Sequence, residues 1–256
     1  MYNDILTIGS FTIHGYGLMI GLGVAAALLL GDYRAKKKGL NGDYIYGMTF
    51  AAVILGFIAA RILFIITEWK DFLQNPMNYL AGSGFVVYGG IIGGAITIYV
   101  YCKMKKIDML AYLDLMIPSV ALAQGFGRIG CFLAGCCYGK ETNSWLGVVF
   151  TNSDFAPNGV KLLPTQLFMA AGDWLIMALL LWYASKKPMR GKTTALYLIL
   201  YSVGRFIVEF LRNDDRGVVG SLSTSQFIAV FTFMAGVIAY FVVLPRCLGE
   251  KSSKVS

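Results

Sequence analysis

Seven apolar stretches, each close to the length of a membrane-crossing helix, constrain what this chain can fold into: residues 13–32, 45–67, 84–102, 109–127, 163–184, 193–211 and 224–245. A bilayer's hydrocarbon core is about 30 Å thick and takes roughly 20 apolar residues to cross as a helix. Lipid offers no hydrogen bonds, so a spanning backbone must satisfy its own N–H and C=O groups, as a helix or a closed barrel. The alternating segments of about ten residues that a barrel needs are absent from the sequence. The sequence therefore predicts an all-α integral membrane protein of seven transmembrane helices. With 57% hydrophobic and 14% charged residues, its composition is far from that of a soluble domain. The hydrophilic connections are too short for a second domain, so residues 1–256 read as one seven-helix membrane domain.

The 22 Lys and Arg residues are distributed unevenly. Arg34, Lys36, Lys37 and Lys38 follow the first stretch, Lys103, Lys105 and Lys106 the third, and Lys186, Lys187, Arg190 and Lys192 the fifth; Arg246, Lys251 and Lys254 lie in the C-terminal tail. Only Lys70, Lys140, Lys161, Arg212 and Arg216 fall in the other connections. By the positive-inside rule the N-terminus lies outside and the C-terminus in the cytoplasm, which an odd number of spans requires. The net charge of +8 thus reports membrane topology and not a nucleic-acid partner. No basic segment precedes the first stretch and no small-residue cleavage site follows it, so it reads as a retained helix. Residues 139–162, the longest outer connection, are expected to form a small extracytoplasmic cap or loop, and residues 249–256 a disordered tail.

Three arginines remain within the spans or at their edges: Arg61, Arg128 and Arg205. Each costs roughly 2.5–3.5 kcal/mol at a helix centre, so they need compensation. Asp114, Asp173 and Glu209 are the candidate acids. Arg205 and Glu209 stand four apart on one helix, and Arg61 has Asp114 or Asp173 as possible partners on other helices. Tyr201, Arg205, Glu209 and Arg212 follow helical spacing and line one face with polar groups. Guanidinium groups beside glycine-rich backbone suit a phosphate, and phosphates in a membrane are lipid headgroups. In "YGLMIGLG" and "GGIIGG" the glycines Gly17, Gly21, Gly90 and Gly94 are expected to pack helices closely.

The segment "GRIGCFLAGCCYG", Gly127 to Gly139, adds Cys131, Cys136 and Cys137 to these groups. Their spacing lacks the paired C-x2-C of a zinc site, and the single histidine, His14, is distant in sequence, so no metal is expected. Small packing groups or an outer disulfide from Cys131 are the two readings, with packing favoured. Cys102 and Cys247 read as small apolar residues near the inner face.

In order along the chain, "YGLMIGLG", "YGGIIGG", "DLMIPSVALAQGFGRIGCFLAGCCYG", "LPTQLF" and "YSVGRFIVEFLRND" resemble the prolipoprotein diacylglyceryl transferase family. The most specific parts are G-R-x-G-x-F-x-x-G and R-F-x-x-E-F-x-R. The resemblance implies a multi-pass enzyme of the bacterial plasma membrane. Such an enzyme moves the diacylglyceryl group of phosphatidylglycerol to the lipobox cysteine thiol of a prolipoprotein and releases glycerol phosphate, with no cofactor. It places essential arginines on Arg128 and Arg205, a motif glycine on Gly139, and supporting polar residues on Tyr16, Arg61, Asp114, Tyr201 and Glu209. The family's histidine before G-G is Tyr88 here, and its asparagine and glutamate after the arginine are Cys131 and Cys136. Leu163, Phe168 and Met169 replace histidine, tyrosine and glutamate in the following motif. These Tyr and Cys positions suggest a variant branch and leave the proton acceptor open.

Thiol alkylation needs a thiolate, and a free thiol pKa of about 8.5 calls for a base or a positive field. Arg128 and Arg205 are expected to stabilise the leaving phosphate. Tyr88 suits hydrogen-bond donation, and Glu209 either accepts a proton or holds Arg205, the second being favoured. Arg212 joins the substrate-binding set from the polar face. The rivals are a lipid transporter or scramblase, for which the sequence offers no internal repeat, a paralogous lipid transferase with another acceptor, and thiol–disulfide chemistry at the cysteines.

Overall fold

The computed structural model describes residues 4–8, 11–81, 84–213 and 217–245. The tail 249–256, together with Arg216, Arg246 and Cys247, lies outside the described residues.

Strands β1 (Asp4–Ile8) and β2 (Phe11–His14) pair antiparallel and lead directly into α1 (Gly15–Lys38). This helix runs past the expected end at residue 32. Its last turn carries Lys36, Lys37 and Lys38, which oppose the negative end of the helix dipole, and Lys36 pairs with Asp32 at 2.7 Å. Gly39, at φ +67°, then closes it. The chain continues through α2 (Asp43–Thr67), two short helices α3 (Trp69–Gln74) and α4 (Pro76–Ala81), α5 (Val87–Lys105) and α6 (Met109–Ala134). Strands β3 (Val148–Val149) and β4 (Lys161–Leu162) precede α7 (Thr165–Ser185) and α8 (Lys192–Glu209). A last hairpin, β5 (Val218–Val219) and β6 (Leu222–Ser223), opens α9 (Thr224–Ile238), which runs on into a π-helical turn, Ala239–Val243.

Six of these helical segments have the length and hydropathy to cross a membrane: α1, α2, α5, α6, α7 and Thr224–Val243. The remaining apolar stretch forms α8, where Lys192, Arg205 and Glu209 interrupt the apolar run. The protein is a multi-pass, mostly helical membrane protein.

The contacts divide the chain into two compact units, Gly31–Tyr112 and the combination of Met1–Leu30 with Leu113–Ser256. In the first, α2 and α5 pack through small residues. A Cβ on Gly89 would sit 2.6 Å from the Ala59 carbonyl oxygen, and one on Gly93 would collide with Ala59 Cβ. Gly90 and Gly94 meet the same helix at ordinary contact distance. Phe50, Ile54, Phe57, Ile58, Ile62 and Ile66 of α2 are left exposed, as the lipid-facing side of a membrane helix requires.

In the second unit, Ile117 and Ala121 of α6, Leu180 of α7 and Tyr197 of α8 form a buried cluster. Helix α1 meets α6 at Gly23, where a Cβ would stand 3.0 Å from Phe126 Cβ. The expected packing role of Gly17 and Gly21 is not met: both face open space, because Gly23 sits on the contact side of the helix instead. Residues 139–162 carry the β3–β4 pair and their own apolar centre of Phe150, Ala156 and Leu162, with Phe132, Tyr138 and Val160 packed against it.

Candidate active site

Helix α6 ends in a paired hydrogen-bond closure. Gly135 N donates to Phe132 O at 3.1 Å and Cys136 N donates to Cys131 O at 3.1 Å, with Gly135 left-handed at φ +77°. This is the Schellman pattern, which folds the residue after the glycine back over the last full turn. It carries Cys136 onto Cys131. Cys137 is itself left-handed, at φ +64°, and reverses the chain again. The three Sγ atoms consequently lie within 4.8 Å of one another, and none is in a disulfide. The outer disulfide, the less favoured of the two readings, is not formed. Hydrogen bonds from the Cys131 and Cys136 thiols, with the Arg212 guanidinium nearby, hold the Cys137 thiol below its ordinary range.

The loop is strapped on both sides. Thr165 Oγ1 donates to Cys137 O at 2.8 Å and Gln166 Nε2 to Cys136 O at 2.7 Å, both from the first turn of α7. Gly139 N donates to Leu163 O at 2.9 Å and forms a bridge with Arg212. Only a glycine fits: a Cβ would stand 2.7 Å from Leu163 O and from Thr165 Cγ2. Arg212 lies beyond the end of α8, so the polar face expected along a continuous helix breaks after Glu209. Its buried guanidinium meets Met169 Sδ at 3.9 Å and also hydrogen-bonds Cys137.

Arg205 and Glu209 form a deeply buried pair on α8, with Nη1 2.9 Å from Oε2. Both are tied to the start of α9. Arg205 Nη2 donates to Ser225 Oγ at 2.7 Å, and Ser223 Oγ donates to Glu209 Oε1 at 2.8 Å. Ser223 also caps α9 in a reciprocal box with Gln226, which fixes where its hydroxyl points.

Arg128, on α6, faces Tyr201, Asp173 and the thiols of Cys131 and Cys137, and makes no hydrogen bond or ion pair among the described residues. Asp173, on α7, is 4% exposed, and its Oδ2 has no hydrogen-bond partner among the described residues. Arg128 and Arg205 both act electrostatically on that one carboxyl. Tyr201 stacks on Tyr197 at 5.6 Å between ring centroids, and the Tyr197 hydroxyl donates to Gln124 Oε1 at 2.6 Å. Tyr16 reaches the same region. Its ring lies against Gly130, and it neighbours Arg128 and the three thiols.

The remaining expected residues have other surroundings. Asp114 accepts hydrogen bonds from Gly191 N (2.7 Å) and from Thr194 N (2.8 Å) and Oγ1 (2.7 Å), at the start of α8. It stands fourteen residues before Arg128 on α6, about 21 Å of helical rise. In the Gly31–Tyr112 unit, Arg61 Nη1 donates to Gly84 O at 2.6 Å, and the guanidinium lies over Phe64 and Phe85. It thereby holds the segment leading to Tyr88, which is partly exposed in the first turn of α5. The sequence noticed Asp173 only as a possible counter-ion. The available signal was a lone acid in an otherwise apolar stretch, since intramembrane ionisable groups are functional by default.

In the buried interior of this multi-pass membrane protein Arg128 and Arg205 both act on the Asp173 carboxyl, and guanidinium groups so placed suit the phosphate of an anionic lipid. The family profile described as prolipoprotein diacylglyceryl transferase matches residues 3–242, and the chain belongs to that family. A relative from Clostridium tetani, named phosphatidylglycerol--prolipoprotein diacylglyceryl transferase, is 53% identical over 229 residues, covering 89% of this chain and 92% of its own. One from Clostridium perfringens, the second of that name in its organism, is 50% identical over 230 residues, covering 89% and 90%. A third, from Finegoldia magna, is 35% identical over 237 residues, covering 90% and 92%.

Proposed function

We propose that this chain transfers the diacylglyceryl group of phosphatidylglycerol to the lipobox cysteine thiol of a prolipoprotein signal peptide, releasing glycerol phosphate. The bacterial plasma membrane is its place, with α8 as the seventh span, the N-terminus outside and the C-terminus in the cytoplasm. The carrying observation is Arg128. It is a guanidinium among membrane helices with no ion-pair partner among the described residues, beside an Arg205 already paired with Glu209. An anionic phosphate completes that arrangement.

In this reading, Arg128 and Arg205 hold the phosphate and take up its charge as it leaves, from positions fixed before substrate arrives. The acceptor sulfur bonds to the glyceryl carbon as that carbon's bond to the phosphate oxygen breaks. Glu209 is a positioning residue, because both its oxygens are engaged by Arg205 and Ser223. Asp173 accepts the thiol proton, having a buried oxygen without a hydrogen bond beside Arg128. Tyr16 and Tyr201 line the headgroup region, and Gly139 and Arg212 hold the cysteine loop and the cap. Asp114 supports the inner end of α8, and within the Gly31–Tyr112 unit Arg61 holds the segment that leads to Tyr88.

The test is purified protein with labelled phosphatidylglycerol and a lipobox peptide, with a cysteine-less peptide as control. Glycerol phosphate and a lipid-shifted peptide are expected only with the cysteine. Lipid movement without glycerol phosphate would establish the scramblase instead, and modification of the control would establish another acceptor.

A further inference from the structure

Three sulfurs converge in a part of the fold where neither the family assignment nor the relatives' names place a metal. The Sγ atoms of Cys131, Cys136 and Cys137 lie within 4.8 Å of one another, and no two are bonded. A disulfide would leave one sulfur over, whereas a shared ligand uses all three. With metal–sulfur bonds of about 2.3 Å, three thiolates around one ion stand roughly 3.8–4.0 Å apart. That is within about an ångström of the spacing present.

Backbone geometry produces this convergence before any ion arrives. The Schellman closure folds Cys136 over Cys131, the left-handed Cys137 turns back, and Thr165 and Gln166 tie down both carbonyls. The electrostatics are complementary. Three thiolates and a divalent ion sum to a net charge of −1, and Arg128 and Arg212 both face the cluster. All-sulfur donors select a soft ion over magnesium or calcium.

We propose that Cys131, Cys136 and Cys137 hold one divalent d10 cation of the zinc class, with its fourth position open to the thiol of the acceptor peptide. Three protein ligands and one open position are the arrangement of a catalytic zinc, and a coordinated thiol is deprotonated outright. The acceptor thiol gives its proton to Asp173, which shares Arg128 with the cluster, and binds the ion as thiolate. Its sulfur then forms the C–S bond as the C–O bond to phosphate breaks. The identity of the acceptor rests on the transferase reading; the ion site does not.

Cadmium serves as the probe, because cadmium–thiolate bonds give an ultraviolet charge-transfer band. Titration of the reduced full-length protein is expected to saturate at one equivalent. Cys136→Ser and Cys137→Ser should each remove about a third of the band, and Cys102→Ser none. A lipobox cysteine peptide should then raise the band by about a third, while its serine counterpart leaves it unchanged. The site is overturned by absence of the band, by its survival in the triple serine protein, or by a non-reduced mass two hydrogens lighter. An unchanged band on adding the thiol peptide overturns the open position. If the peptide raises the band but no glycerol phosphate is ever released, the ion site stands and the transferase reading falls.

Discussion

Arg205 reaches one turn along its own helix to pair with Glu209, Nη1 to Oε2 at 2.9 Å, while Glu209 Oε1 accepts a hydrogen bond from Ser223 at the cap of α9. The pair thus fastens two helices together and fixes one of the two guanidinium groups assigned to the phosphate. Removing one partner leaves the other charge buried without compensation, which typically costs about 3–5 kcal/mol. Glu209→Gln is expected to lower the melting temperature in detergent and to reduce transfer by roughly 10²-fold. A full rate with a lowered melting temperature would confine Glu209 to stability.

Arg128 is expected to behave differently, since it has no ion-pair partner among the described residues. Arg128→Ala should leave the melting temperature nearly unchanged and lower glycerol phosphate release by about 10²–10³-fold. Arg128→Lys should recover little, because an ammonium cannot present the planar fork that grips two phosphate oxygens. Wild-type rates in either variant, correctly inserted, remove Arg128 from the chemistry.

Asp173 is buried beside both arginines with one oxygen lacking a hydrogen bond. A base works only when deprotonated, so transfer should fall as pH is lowered through the titration of Asp173. Asp173→Asn should abolish that acidic limb and reduce the rate by about 10²–10⁴-fold. It should not reduce stability, since it removes a poorly satisfied buried carboxyl. Persistence of the limb in the Asn protein would assign the proton to another group.

Gly139→Ala places a Cβ 2.7 Å from Leu163 O, a backbone atom that cannot rotate away. A loss of about 1–3 kcal/mol is expected from the overpacking. The displaced strap also carries the bridge to Arg212, so transfer should fall even where the protein remains folded. Thermal unfolding and transfer measured on one preparation check both effects.

The sequence determined the helices, because lipid leaves a spanning backbone only local ways to satisfy itself and each span announces itself by length. It also marked Arg128, Arg205 and Glu209, since a charge in an apolar run is conspicuous in one dimension and the last two are helical neighbours. It could not place Asp114, which a distant turn recruits as the acceptor at the start of α8, or Arg61, which Gly84 and two aromatic rings claim. Nor did spacing reveal the thiol cluster, because C-x4-C-C carries no metal signature until Gly135 and Cys137 turn left-handed and fold it shut. Asp173 meets the arginines of α6 and α8 only once three helices pack. Local hydrogen bonding and transfer free energy are written residue by residue, but the convergence of charges and sulfurs from separate elements is a property of packing, and the tertiary structure alone decided it.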